Sequence, residues 1–309
     1  MVVHVILNPC AGRGAGARSK DKLMAALAAA DLTYELTETT APGHAIEVAA
    51  ELRKNGYPMV IAAGGDGTVN EVLNGLAQAT PEGETIGKLA FFPIGTGNDF
   101  ADMSGAKRGV EALAQRIAAG KTRCVDVGRA TLSSPTQEIV RYFDNNVGLG
   151  FEAQVTVESN RIKWVTGPAR YLMGVFKALG SFRSPHAEIA WQNAAGEWDK
   201  RYQPSLMISL GNTRRTGGMF YVNPDAVMDD GLLDMALVPH KSKPQVLWLL
   251  PQVFIGAHRN DRTILFDRCV QLKLTTSHAV PVHLDGEVVM DDVRSAHFEI
   301  LHRRLEIVA

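Results

Sequence analysis

The sequence predicts an α/β amino-terminal domain, a parallel sheet with helices on both faces, joined to a carboxy-terminal β-sandwich domain. Three observations predict it. Up to about residue 123, apolar β-branched runs alternate with helical patterns, the signature of a parallel sheet. Three of those runs, ending at Leu7, Ala63 and Pro93, lead into glycine-rich turns. Beyond residue 124 the texture changes to short, often alternating strand-like runs with only two helical interruptions. A chain of 309 residues is long for one domain. The expected division is 1–127 and 128–309, with the final strand able to return to the first domain.

In order, residues 2–7 read as a buried strand and enter Asn8-Pro-Cys-Ala-Gly-Arg-Gly-Ala-Gly16, a flexible loop with a basic residue, then an alanine-rich helix. A short strand at 34–37 precedes a helix ending near Lys54. The apolar run 59–63 meets Gly64, Gly65, Asp66 and Gly67, after which Val69, Val72, Leu73 and Leu76 recur at helical spacing. Thr68 and Glu71 match the S/T-x-x-E pattern of a capping box. Strand 89–92 then meets Pro93, with Gly95, Thr96, Gly97, Asn98 and Asp99 behind it. In the second domain, strands are expected at 124–132, 139–147, 187–192, 206–211, 232–238, 270–275, 280–284 and 297–301. Helices are expected at 168–181 and 243–257.

Glycines at a strand-to-helix turn leave bare main-chain amides at a helix N-terminus, which carries about half a positive charge. Phosphate is the natural occupant. A single turn is equally well explained as a tight connection, but three at one sheet edge favour a nucleotide-sized anion site.

Three further stretches carry chemistry. Asp225, Asp229, Asp230 and Asp234 offer hard oxygen ligands for Mg²⁺ or Ca²⁺, although a polar loop before a hairpin accounts for their spacing more simply. Asp285-Gly286 reads first as a hairpin turn; the carboxylates beside it are also placed to act as a general base toward a hydroxyl. In the Arg161–Arg183 segment, Tyr171, Leu172, Val175, Phe176 and Leu179 form one stripe flanked by Arg170, Lys177 and Arg183. Such a helix either covers a sheet or lies on an anionic membrane surface.

A net charge of −1 argues against a nucleic-acid binder, so no nucleic-acid partner is expected. Cys10, Cys124 and Cys269 show no metal-ligand or redox spacing and are expected to be reduced thiols in a cytoplasmic setting. No signal peptide is expected at the amino terminus. The uncharged stretch 244–257 is too short to span a bilayer, though it could touch one.

The ordered set is specific: Asn8-Pro with its glycine loop, Gly64 to Glu71, Pro93 to Phe100, Asn146-Val-Gly-Leu-Gly-Phe-Glu152, Gly217-Gly218, Asp230-Gly-Leu-Leu-Asp234 and Asp285-Gly-Glu287. It resembles the diacylglycerol kinase catalytic-domain family, which includes sphingosine and ceramide kinases, and is most similar to its soluble bacterial lipid kinases. The resemblance spans essentially the whole chain. It implies a first domain of the NAD kinase and phosphofructokinase type. It also implies ATP and Mg²⁺ as cofactors, and phosphoryl transfer to a lipid hydroxyl such as that of diacylglycerol, phosphatidylglycerol or a sphingoid base. By position, Asn8, Thr39, Gly65 to Glu71 (including Asp66, Gly67, Thr68 and Asn70) and Thr96 match nucleotide-binding residues. Gly64, Gly95, Gly97, Asn98 and Asp99 belong to the same two turns, with Asp66 and Asp99 near the phosphates. Glu287 matches the proton acceptor, with Asp285 beside it, and Asp230 matches a Mg²⁺ ligand completed by the carbonyls of Val227 and Leu232. The resemblance further implies transient contact with the inner face of the membrane and a possible homodimer. Two departures, Thr216-Gly-Gly-Met219 in place of a fuller glycine run and Arg13 in the first loop, bear on substrate choice. Two other readings stay open: a soluble-metabolite kinase sharing the GGDG turn, and a non-catalytic nucleotide- or lipid-binding regulator.

Overall fold

The computed structural model describes residues 2–95, 97–105, 109–162, 164–165 and 168–308. They form two compact units, residues 1–127 with 301–309, and residues 128–300.

In the first unit, β1 (Val2–Leu7), β2 (Thr33–Glu38), β3 (Val60–Gly64) and β4 (Gly87–Pro93) alternate with α1 (Ala11–Ala29), α2 (His44–Lys54) and α3 (Asp66–Gln78). These four strands pair in parallel, in the order β2-β1-β3-β4, and Leu305–Ile307 of the last strand add on beside Gly87–Leu89. Parallel neighbours need crossovers, and the helices supply them. Side chains alternate across the sheet. Val3, Val5, Leu7, Ile61 and Ala63 pack against Leu23 and Leu27 of α1 and against Leu113 and Ile117 of a helix absent from the sequence reading, α5 (Val110–Ala119). Helices α2 and α3 pack on each other and contact β1, β3 and β4. A short helix, α4 (Asp99–Met103), follows the turn after β4.

The α2–α3 contact is set by Gly75, where an added Cβ would stand 2.2 Å from the Ile46 carbonyl and 2.8 Å from Ala49 Cβ.

The second unit is antiparallel. Its strands are the 128–133 part of β5 (Thr122–Ser133), β6 (Glu138–Phe143), β7 (Asn146–Gly150), β8 (His186–Gln192), β9 (Trp198–Gly211), β10 (Leu233–Pro239), β11 (Leu265–Cys269), β12 (Gln271–Leu284) and the 287–300 part of β13 (Glu287–Val308). β9 pairs with β8 through its first half and with β7 and β10 through its second; β12 likewise passes from β8 to β7. Long strands that change partners fold the sheet over a shared core containing Phe143, Leu210, Leu272, Val293 and Phe298. The helices are α6 (Phe151–Arg161), α7 (Pro168–Ser181) and α8 (Lys243–Phe254).

Several expectations change. The run 139–147 is two strands, broken at Asp144–Asn145, while 270–275 and 280–284 are one strand with irregular register between Thr275 and Val280. α6 and β11 were not foreseen. α6 carries Glu152 and Glu158 on its buried side, which hides its apolar period. The glycine loop after β1 is the irregular start of α1, where Gly12, Arg13 and Gly14 take positive φ.

Gly75→Ala is expected to destabilise by about 1–2 kcal/mol. Alanine gains about 1 kcal/mol of helix propensity, but a Cβ 2.2 Å from a backbone carbonyl puts overpacking of the crossing in the upper part of its range, about 2–3 kcal/mol. A denaturant midpoint equal to or above wild type would refute the close-approach reading.

Candidate active site

The turns after β1, β3 and β4 meet at the carboxyl edge of the parallel sheet, where such sheets take ligands. Asn8 N–H donates to the Ala63 carbonyl (2.9 Å), and its side-chain amide donates to Thr68 Oγ1 (3.1 Å). Thr39 N–H donates to the Leu7 carbonyl at 2.8 Å. Ile94 N–H donates to the Gly64 carbonyl at 2.8 Å. Gly65 and Gly95 lie back to back: a Cβ on Gly95 would be 2.8 Å from Gly65 Cα. Only two bare α-carbons permit that approach.

Asp66 cross-links the two turns. Its Oδ2 accepts from Asn98 N–H at 2.8 Å, and a Cβ on Gly97 would stand 2.8 Å from the same oxygen. Asn98, at φ 54°, closes its own turn by accepting from Gly95 N–H (3.1 Å) and donating to the Gly95 carbonyl (2.6 Å). Asp99 is buried at the start of α4. α3 begins at Asp66 behind Gly65 without a side-chain cap. Gly67 and Thr68 lie in that first turn, whose amides therefore face the positive end of the helix dipole toward any anion bound there.

The capping box is not formed. Glu71 reaches across to α2, where its two carboxylate oxygens accept from Gly43 N–H (2.9 Å) and Ala45 N–H (3.2 Å). It caps the neighbouring helix, a role local spacing does not reveal. Asn70 turns to Asn74 one helical turn on. Thr96 lies outside the described residues.

In the second unit, Asp285 and Gly286 form the two-residue turn between paired Leu284 and Glu287, both with positive φ. The Asp285 carboxylate accepts from three consecutive main-chain amides: Asp144 (3.1 Å), Asn145 (3.0 Å) and Asn146 (2.8 Å). Those amides belong to the break between β6 and β7. Asn212 and Thr213 N–H both donate to the Asn145 carbonyl (2.9 and 3.1 Å), and Thr213 Oγ1 bonds to Asn145 Oδ1. Asp285 thus fixes the hairpin, and Glu287 opens β13 with an exposed side chain. Sequence reading gave Asn145, Asn212 and Thr213 no role; their signal is a run of polar residues buried at strand ends. A buried pair, His283 Nε2 and Glu152 Oε1 at 3.3 Å, lies on the strand leading to this turn.

Asp230 lies in the loop before β10, with Val227 and Leu232. One oxygen accepts from Leu232 N–H at 3.0 Å, and the other stands 3.5 Å from Arg268. Asp225 pairs with Arg259. Asp234, on β10, has Oδ2 buried with no hydrogen-bond partner among the described residues. Burial first, then the Asp230 charge, pushes its carboxyl up to about 6, with Arg268 and Arg259 opposing. Among the described residues, no three His, Cys, Asp or Glu side chains gather as a metal cage.

Comparison with known proteins defines the class. Residues 2–130 match the family model "Diacylglycerol kinase catalytic domain", and residues 145–309 match "YegS C-terminal NAD kinase beta sandwich-like domain". The chain belongs to this diacylglycerol kinase and YegS family of lipid kinases. It is 30% identical over 270 residues to a protein named "Probable lipid kinase YegS-like" from Cronobacter sakazakii, covering 86% of this chain and 82% of that one. It is 27% identical over 308 residues to a diacylglycerol kinase of Bacillus subtilis, covering 99% and 95% of the two chains. A crystal structure of a diacylglycerol kinase from Bacillus anthracis superposes with a TM-score of 0.69 at 22% identity, over 99% of this chain and 96% of that one, a likeness of fold.

Two outcomes follow. Glu71→Ala is expected to lower stability by about 1–2 kcal/mol through the uncapped α2; lost ATP affinity with an unchanged melting temperature would instead make Glu71 a nucleotide contact. Asp234→Asn is expected to be the more stable protein at pH 7, measured without divalent cations. The raised carboxyl means the folded state binds the proton more tightly than the unfolded one, so its stabilisation is present below pH about 4 and lost as pH rises through about 6. The gap should be on the order of 1–3 kcal/mol at pH 7 and vanish near pH 4. Parallel pH–stability curves for the two proteins would refute it.

Proposed function

We propose that the protein transfers the γ-phosphate of ATP to the hydroxyl of a lipid, with diacylglycerol as acceptor and phosphatidic acid as product. Family membership supports phosphoryl transfer to lipid, and the name of the Bacillus subtilis relative supports diacylglycerol among the candidate acceptors. The observation that carries ATP binding is the Gly65–Gly95 approach locked by Asp66 and Asn98, a cradle that a single Cβ would fill. Asn8 and the first-turn amides of α3 would hold the phosphates there, with Thr39 and Asn98 keeping the adjoining turns in shape.

Phosphoryl transfer is largely positioning and charge stabilisation. The acceptor hydroxyl oxygen forms the new bond to the γ-phosphorus, the bond from phosphorus to the β,γ-bridging oxygen breaks, and ADP leaves. Glu287 takes the hydroxyl proton, and Asp285 acts through its three amide bonds to hold the hairpin that presents Glu287. The 223–232 loop, with Asp234 on the strand that follows it, fits Mg²⁺: this ion takes few protein ligands and keeps several waters, and the Asp234 oxygen left without a partner among the described residues is a buried charge that a cation satisfies. Asp230 with the carbonyls of Val227 and Leu232 would hold it. When bound, Mg²⁺ supplies positive charge against phosphate oxygens.

Asp66→Asn and Glu287→Gln are each expected to cut ATP-dependent lipid phosphorylation at least about 10²-fold without a change in fold. Labelled ATP offered with diacylglycerol, phosphatidylglycerol, sphingosine and NAD reads both turnover and acceptor. Normal turnover by either variant, or NAD as the preferred acceptor, would overturn the assignment.

A further inference from the structure

Helix α8 is apolar on both sides. Val246 and Leu249 are buried against Leu206, Ala236 and Val238 of β9 and β10, as a covering helix requires. Its exposed positions 244, 247, 248, 251, 254 and 255 are apolar as well, with Lys243 and Gln245 the exposed polar residues of its first turn. Leu247, Trp248, Phe254 and Ile255 are 39%, 66%, 40% and 78% exposed. Helix α7 enters the same cluster through Val175 and Ala178, and turns Leu172 and Phe176 outward, 49% and 57% exposed. Rings join the two helices: Tyr171 to Phe220 and Phe220 to Phe254, each with centroids 4.6 Å apart. Single exposed apolar residues need no explanation, but a face shared by adjacent helices marks an interaction surface.

Charge selects the partner. Residues 168–183 and 242–255 hold Arg170, Lys177, Arg183 and Lys243 and no Asp or Glu, in a chain whose net charge is −1. A 12-residue helix is about 18 Å long, too short for a hydrocarbon core of about 30 Å, so α8 suits a position in the interfacial plane. Tryptophan beside aliphatic side chains with a basic fringe is the composition of helices that lie in anionic membrane surfaces. We propose that the outer faces of α7 and α8 form a docking surface for an anionic lipid bilayer, with Trp248, Ile255 and Phe176 entering the headgroup boundary. This rests on the lipid-kinase reading only in that a lipid acceptor gives the chain a reason to sit on a bilayer.

Cosedimentation of the full chain with vesicles tests it, using phosphatidylcholine alone and phosphatidylcholine mixed with phosphatidylglycerol. Binding to mixed vesicles is expected to be at least about tenfold tighter than to phosphatidylcholine and to weaken with salt. The double variant Trp248→Glu, Ile255→Glu should lose about tenfold or more of that binding at an unchanged melting temperature. Lys177→Gln with Lys243→Gln should lose only the preference for the anionic vesicles. Wild-type protein that stays in the supernatant, equal binding of both compositions at low salt, or a glutamate variant that sediments like wild type would each overturn the proposal. So would a dimer broken by the glutamate pair in a chain that ignores vesicles, which would make this face a contact between copies. Binding is read without turnover, so a chain that docks on vesicles but phosphorylates no lipid refutes the kinase reading alone.

Discussion

The meeting of two backbones at Gly65 and Gly95 is the contact on which the shape of the first unit's sheet edge depends. Parallel strands β3 and β4 deliver their turns to one sheet edge, but side chains would ordinarily hold those turns apart. Two bare α-carbons let them touch, and the Asp66 carboxylate on the Asn98 amide locks the approach. The result is a surface made of peptide groups, whose donors are placed by the strands and need no rearrangement to meet an anion. Asn8 joins the third turn to the same surface through Thr68.

The second unit solves a related problem with the opposite charge. A two-residue turn has few bonds of its own, and Glu287 follows it at the start of β13 with its side chain exposed. Asp285 supplies the anchor by taking three successive main-chain amides, which lie where β6 gives way to β7 at Asp144–Asn146. Two adjacent acids thereby divide the work: one is committed to the backbone, and its neighbour Glu287 stays at the surface. The same economy appears at Glu71, which stabilises α2 and so holds the α2–α3 pair behind the turn that follows β3.

The outer faces of α7 and α8 turn large apolar side chains to solvent, with tryptophan, isoleucine and phenylalanine on α8 beside lysine. Exposed apolar faces of this kind mark interaction surfaces, and these lie on the helical layer that already shields β9 and β10.

Much of this was legible in the chain. Strand-to-helix turns announce themselves because glycine, aspartate and the onset of helical period are local signals, and so β1, β3, β4, the three turns and the Asp285-Gly286 hairpin follow from residues within a few positions of one another. What the residues could not determine were partners distant in sequence. Glu71 shows the helical spacing of a capping box, and the folded chain gives it a different helix to cap 26 to 28 residues away. Asp285 reads as a turn residue, and only the pairing of β12 with β7 brings it to amides some 140 positions earlier. Helix α6 escaped notice because its buried side carries carboxylates, one of them paired with His283 across the unit. Conformational preference and hydrophobic period act over a few residues, whereas hydrogen-bond pairing and burial are settled by whichever segments the fold makes neighbours.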